Sequence, residues 1–335
     1  MILATGLLPL FLEMNKALYL LLLVPVFSWG QSEEQASSKD FEIVAYWGPG
    51  ESYLYQIEKI TTSYQNGKLQ KSDTTQYEAL FEVLDSTETH YELAWTVIGT
   101  SLNQLSLPDT ILQKLSSLAN KELSYVYRTD ELGSFLELTN HADVRMAMLE
   151  QFAVIEDMFS EPAERQKFIN TLAPFKDLLV SNEGIEALVA KELQLFHMLY
   201  GLAIDSGEFF DYDEALPNLF GGDPITGKGK LYHTTIDTSE GRFTVINEMR
   251  TDPKSTKAFL KQALPVMVPN LANEKGFKKI LKNSSIQIID HQVYELYYGY
   301  YLPHLIQSER KTELTLPSDQ RIKIEQLNIR LQYKD

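Results

Sequence analysis

Several short stretches carry residue types at spacings that chemistry uses. Residues 221–230 read GGDPITGKGK, in which Gly222, four residues, then Gly227–Lys228 form the skeleton of a phosphate-binding loop. In such a loop, backbone amides and a helix N-terminus converge on phosphate, which requires a strand before and a helix after. Here Pro217 interrupts the preceding EALPNLF, and the following LYHTTID alternates like a strand. Gly229 stands where a magnesium-holding Ser or Thr belongs, and Pro224 removes an amide donor. The stretch is read as a glycine-rich strand entry, and no nucleotide or other cofactor is expected. Ser308–Glu309–Arg310–Lys311 matches the S-x-x-K nucleophile pair. That pair needs one helix face, whereas this segment reads as a strand, where positions i and i+3 point apart. His90, His141, His197, His233, His291 and His304 show no H-E-x-x-H or H-x-H pairing. A Ser–His–Asp arrangement assembled only in space stays open.

Two clusters remain as candidate sites. Asp205, Glu208, Asp211, Asp213 and Glu214 offer the carboxylate oxygens that calcium takes from a flexible loop. Their spacing is not that of an EF-hand, and a solvated acidic loop is the plainer reading. The run YELYYGYYLPH (294–304) is the second. As a strand it places Tyr294, Tyr298 and Tyr300 on one face and Tyr297 and Tyr301 on the other. Such a strand lines an apolar cleft, stacks on sugar rings or peptide side chains, or simply packs on both sides between sheet and helices. An aromatic girdle of an outer-membrane barrel is disfavoured by the helical middle third, the few strands expected and the Lys334–Asp335 end.

The elements that must position these residues fall into three blocks. Residues 52–61, 76–84 and 90–98 alternate in polarity, with Asn66–Gly67 as a hairpin signal, and predict a three-stranded antiparallel meander. Residues 109–119 predict a short helix capped by Asp109, and 124–128 with 134–138 a further hairpin. From Val144 the period changes: Met148, Phe152, Ile155 and Phe159 mark a helix face, with Asn140 and Asp143 at its start. A second helix begins near Pro162 and breaks before Pro174, and a third runs from Glu183 to Ala203. Residues 205–229 read as a long loop. Strands follow at 230–237 and 242–250, a helix from Pro253 to Leu264, another over 273–282, and strands at 286–289, 292–301, 304–314 and 321–332. Strands, then helices, then strands predict an α+β fold. Its antiparallel sheet or curved half-barrel joins the N- and C-terminal strand blocks and packs against the central helical segment. One domain over 41–335 is expected, with strands in 41–138, helices in 139–204, and strands with short helices in 228–335.

Ahead of it, Leu18–Phe27 (LYLLLLVPVF) is too short, at 1.5 Å per residue, for a hydrocarbon core of about 30 Å. Ser28 and Gly30 suit a signal-peptide cut after Gly30, and Met14–Asn15–Lys16 offers a basic start within residues 1–30. A polar linker occupies 31–40. Export leaves no membrane span, and the absence of cysteine favours a Gram-negative periplasmic or secreted setting over an animal one. The net charge of −16, without a basic cluster, argues against nucleic acid as a partner.

GESYLYQIEKITTSYQNGK, YRTDELGSFLELTN and LPNLFGGDPITGKG, behind this cysteine-free exported start, resemble a loose group of uncharacterised exported proteins of Bacteroidota-type bacteria. The resemblance implies an envelope location and an α+β fold, and lends no active-site residues. The reading is a non-enzymatic envelope protein binding an apolar or aromatic-compatible ligand, or an envelope protein partner, on a sheet face backed by helices. The alternative is a periplasmic hydrolase whose residues converge only in the fold. Two carboxylates, or Ser, His and Asp, meeting at the base of one cleft would favour it.

Overall fold

The computed structural model describes residues 41–333 apart from 101–122, 158–160, 164, 167–168, 170–179, 205–208, 217, 219–222, 238, 240, 268–276, 298 and 300. The helices expected at 109–119 and between Pro162 and Pro174 fall on or largely on the excepted residues. Strands β2 (Ser52–Gln65), β3 (Lys68–Ser86), β4 (His90–Thr100), β5 (Leu123–Asp130) and β6 (Phe135–Leu138) form the first block. Helices α1 (His141–Glu156) and α2 (Asn182–His197) follow. Then come β8 (Phe210–Leu216), β9 (Ile225–Asp237), β10 (Arg242–Thr251), α3 (Pro253–Met267), α4 (Phe277–Lys282), β11 (Ser285–Tyr297), β12 (Pro303–Leu316) and β13 (Asp319–Leu331). Two short strands, β1 (Phe41–Glu42) and β7 (Ala203–Ile204), pair with each other.

Eleven strands make one antiparallel sheet in the order β6-β5-β4-β3-β2-β13-β12-β11-β10-β9-β8. The two strand blocks join where β13 pairs with β2, from Arg321 opposite Gln65 to Leu331 opposite Tyr55. The Asn66–Gly67 turn has positive φ at both positions (49° and 76°), as a tight hairpin of matching twist requires. Asn66 also exchanges bonds with Gln320, accepting at Oδ1 (2.9 Å) and donating its amide to the carbonyl (2.8 Å), which locks two hairpins side by side.

The sheet is not flat. Tyr127 on β5 meets Nε2 of His197 at 2.9 Å, and Asn247 on β10 meets Sδ of Met198 at 3.9 Å. Strands β4, β3, β2, β13, β12 and β11 lie between those two. Seven spacings of about 4.8 Å put β5 and β10 about 34 Å apart in a flat sheet. Residues 197 and 198 have Cα atoms only about 3.8 Å apart. The sheet therefore curls around the end of α2, and its edge strands β6 and β8 do not pair with each other.

Parity decides what faces this concavity. On β11 every even residue from Ile286 to Leu296 is buried, and cross-strand register carries the inner face to Ile306–Leu314 on β12 and Lys323–Leu331 on β13. Two apolar clusters share it. The larger gathers Tyr55, Phe81, Trp95, Tyr127, Phe196 and Tyr294 around α2, with Trp47 brought in by the segment after β1. The smaller gathers Phe259, Leu260 and Leu264 of α3 over Ile225, Ile286, Ile288 and Leu314.

Four expectations change. Residues 205–229 are not one loop, because β8 and the start of β9 occupy 210–216 and 225–229. The glycines that suggested a loop sit inside a strand because something lies on them: a Cβ on Gly229 would stand 2.0 Å from Cζ of Tyr212. Residues 286–297 form a single strand; the expected break at Asp290–His291 is bridged because Asp290 has a partner on the inner face. α2 ends at His197 rather than Ala203, the chain turning at Gly201 (φ 79°) into β7. Asn140, placed before α1, spends its side chain on β5, accepting from the Val126 amide and donating to the Ser124 carbonyl.

Gly229→Ala is expected to lower stability by roughly 1–3 kcal/mol, because the methyl group displaces the Tyr212 ring and its bond to Asn247. Urea unfolding measures this, and an unchanged midpoint would mean that the ring does not lie on Gly229.

Candidate functional site

Between the two apolar clusters the inner face turns polar. Arg310 on β12 clamps Asp290 on β11 with two bonds, Nε to Oδ1 at 2.7 Å and a terminal nitrogen to Oδ2 at 2.5 Å. The two residues are directly opposite in register and almost fully buried, at 5% and 2% exposure. Lys323 of β13 meets Glu325 at 2.9 Å. Above them α2 supplies Lys191 and Glu192, and Glu192 accepts from the Tyr77 hydroxyl (2.6 Å) and pairs with Lys59. On the β8 side a hydrogen-bond chain crosses three strands: Tyr212 donates to Asn247 Oδ1 (2.8 Å), Asn247 to Gln292 Oε1 (2.9 Å), and Tyr294 to the same oxygen (3.2 Å).

Glu214 ends this string and is the anomaly in it. It is 3% exposed, and neither carboxyl oxygen has a hydrogen-bond partner among the described residues. Burial, reinforced by the negative charge of Asp290 and only partly offset by Arg310, pushes its carboxyl up to about 8. Glu214 is therefore protonated at neutral pH. Glu325 goes the other way: burial opposes its ionisation, but Lys323, Lys191 and Arg310 together hold it down to about 2. Burial lowers the Lys191 ammonium from its usual value, with Glu325 opposing that shift.

The residues singled out from sequence divide. Tyr294 lies in the inner core, 1% exposed. Tyr297, half-buried, packs against the larger cluster and bonds Tyr333, whose hydroxyl meets His304 Nδ1 at 2.5 Å. The expected strand 292–301 stops at Tyr297, and Tyr301 has a positive φ (51°) in the turn with Gly299. Its carbonyl accepts from the Tyr200 hydroxyl (2.8 Å). Tyr298 and Tyr300 lie outside the described residues, as do Asp205 and Glu208. Asp211 and Asp213 project outward to Lys230 and Lys228 (3.9 and 2.5 Å), while Glu214 projects inward. A strand separates them onto opposite faces, so these three do not converge. Among the described residues no group of three or more His, Asp or Glu is arranged to hold a metal ion. His197 is a core residue: Nδ1 donates to the Gly133 carbonyl (2.8 Å), leaving Nε2 to accept from Tyr127. Burial pushes it down to about 3 against the weaker opposing effect of that carbonyl.

Sequence reasoning missed Asp290, Arg310, Lys323, Glu325 and Lys191. The signal was parity: Arg310 shares its strand face with Ile306 and Leu314, and a charge at an inward position implies a partner.

No family model matches the chain, and no curated protein matches it. Among solved structures it is similar to lipovitellin, studied for its lipid–protein interactions, at 10% identity and a TM-score of 0.40, covering 86% of this chain and 26% of that one. The chain thus spans about a quarter of the length of that structure. It is also similar to Ail, the attachment invasion locus protein of Yersinia pestis, in complex with sucrose octasulfate, at 4% identity and a TM-score of 0.14, covering 84% and 98%. At these scores neither likeness establishes a shared fold.

Two tests follow from the buried charges. Arg310→Met leaves the Asp290 carboxylate buried alone and is expected to cost about 3–5 kcal/mol, whereas Arg310→Met with Asp290→Leu recovers most of it. A double variant as unstable as the single would refute the pairing. The second test is pH. Glu214, raised to about 8, gives stability that is full below its unfolded value near 4.5 and falls as pH rises to 8. His197, lowered to about 3, gives stability that is full above 6.5 and falls as pH drops to 3. The two slopes oppose one another between 4.5 and 6.5. From 6.5 to 8 the Glu214 slope stands alone, at most about 1.4 kcal/mol per pH unit. Glu214→Gln should flatten that limb in urea titrations at each pH, and an unaltered limb would show that Glu214 is ionised in the fold.

Proposed function

We propose that this chain is an exported envelope protein that binds an apolar ligand without transforming it, holding it on the inner face of its curled sheet beside α2 and α3. The observation that supports it most is the unclosed curl itself. Eight strands, β5 to β10 in sheet order, wrap one helix end, while the two edges stay unjoined among the described residues. An element that inserts by side-chain packing, as α2 does, yields to a ligand without breaking a strand ladder. The inner face is apolar and aromatic on both sides of the charged string, so it suits a ligand with a long apolar body. Among the described residues no helix is long and apolar enough to cross a membrane. Export with loss of residues 1–30 belongs to the same proposal and rests on the leader-like start.

The hydrolase alternative draws on Glu214 and Asp290, two inward carboxyls whose environments differ as those of an acid and its partner do. Their burial, at 3% and 2% exposure, and the clamp of Arg310 on Asp290 favour a structural and recognition role over contact with a reacting bond.

Of the three tryptophans, Trp29 belongs to the leader, and Trp47 and Trp95 both lie in the larger inner cluster. Trp95 sits 5.3 Å from Phe196 of α2, centroid to centroid. Intrinsic fluorescence of the mature protein is therefore expected to shift on titration with a C12–C18 alkyl ligand, and the melting temperature to rise with ligand concentration. Native mass spectrometry of periplasmic material should show a co-purified small molecule. Unchanged emission and melting across an alkyl series, with an empty protein by mass, would end the proposal.

A further inference from the structure

The string across the inner face has a charge imbalance. Its basic and acidic side chains among the described residues are Arg310, Lys323, Lys191 and Lys59 against Asp290, Glu325 and Glu192, with Glu214 protonated at neutral pH. Four basic groups against three carboxylates leave one base in excess inside a chain whose net charge is −16. Geometry identifies the unbalanced member. Asp290 is taken up by the two bonds of Arg310, and Glu325 lies against Lys323 at 2.9 Å. Lys191 forms no hydrogen bond or ion pair within the described residues, although its neighbour Glu192 is held by both Tyr77 and Lys59. As a residue it is half-buried and stands on the α2 side of the string, whereas Glu214 is enclosed. A partly desolvated base that no carboxylate contacts directly gains most from an anion brought to it. The surroundings narrow the anion further. Trp95, Phe196 and Leu327 lie in the cluster on one side of the string, and Leu264, Ile288 and Leu314 in the cluster on the other.

We propose that Lys191 receives the oxyanion headgroup of an amphiphile, a carboxylate or a phosphate monoester, whose alkyl chain lies on the apolar inner face. This deepens the carrier reading and rests on it. The exterior charge does not oppose it, because a single headgroup buried beside Lys191 meets the local excess of cations rather than the acidic outer surface. The ligand class is thus an anionic single-headed lipid, distinguished from a neutral alcohol or an alkylamine by one lysine.

The experiment compares laurate, dodecyl phosphate, dodecanol and dodecylamine, by displacement of 1-N-phenylnaphthylamine from the mature protein at pH 7. A charge-assisted contact makes laurate or dodecyl phosphate roughly 10–100-fold tighter than dodecanol, with dodecylamine weakest. Lys191→Met brings the anionic probes to the level of dodecanol and leaves dodecanol unchanged, whereas Lys191→Arg keeps most of the preference. A thermal scan of each variant separates lost binding from lost folding, and the arginine variant retains the test if the methionine variant misfolds. Tighter laurate assigns the site to a carboxylate head and tighter dodecyl phosphate to a phosphate head; either supports the proposal. Equal affinity for laurate and dodecanol, or anion binding untouched by Lys191→Met, overturns it while leaving the carrier reading standing. No binding of any of the four probes overturns both.

Discussion

An antiparallel sheet of eleven strands has to do something with an inner face far too large to leave wet, and the segment Phe196–Tyr200 is where this chain does it. Phe196 stacks on Phe81 at 5.2 Å and meets Trp95 and Tyr55 edge-on at 5.3 and 5.2 Å. His197 ties to Tyr127 and to the carbonyl of Gly133. Met198 lies against Asn247 and Tyr294, and the Tyr200 hydroxyl reaches the carbonyl of Tyr301. Four of five consecutive residues thus reach into both halves of the chain. Without this plug the larger inner cluster would lose its central partner, and neither the twist nor the ladder bonds alone would bring β5 and β10 together.

The charged string is harder to justify by stability. A buried ion pair recovers its desolvation cost only with good geometry, and apolar residues of similar volume usually do as well. The Asp290–Arg310 clamp has that geometry. Glu214 does not: it forgoes ionisation and makes no bond among the described residues, which is a cost with no folding return. Polar groups kept at a loss within an otherwise apolar face fit a surface whose composition answers to something besides folding. Their location agrees with this, since they lie between the two helix-covered clusters rather than beneath either helix's apolar stripe.

The sheet was legible in the sequence to the extent that it alternates. The meander β2–β4, the hairpin β5–β6, the helix from Pro253 and the meeting of the two strand blocks all follow from period and turn chemistry. Two of the failures share a cause. Where an inward position holds a charge or a glycine, alternation breaks in the sequence but not in the strand. Asp290 looked like a turn because its partner Arg310 lies twenty residues away, and Gly227 and Gly229 looked like a loop because Tyr212 lies over one of them. The acidic run 211–214 looked like a single cluster because spacing within a strand was not applied to it. Of the tyrosines, parity separates Tyr294 from Tyr297 without saying which face is inward, and the turn at Gly299 (φ 90°) ends the strand two residues earlier. Local pattern shows which residues share a face; it does not show which distant side chain makes an odd residue affordable there.

Two neighbouring stretches in the C-terminal half of α2 are held by different forces, and this bears on how the molecule responds to its surroundings. From Leu193 onward the helix is held by packing and by neutral hydrogen bonds, which are short-ranged and insensitive to salt. At Lys191 and Glu192 it is held by charge: Glu192 to Lys59 and Tyr77, and Lys191 by the field of the string. An ion or a proton entering the inner face therefore acts on the turn around Lys191 and Glu192 and scarcely on the last turn. His197, neutral throughout the ordinary pH range because burial pushes it down to about 3, keeps that last turn indifferent to pH. Shape thus fixes the last turn of the central helix, while the turn before it answers to electrostatics.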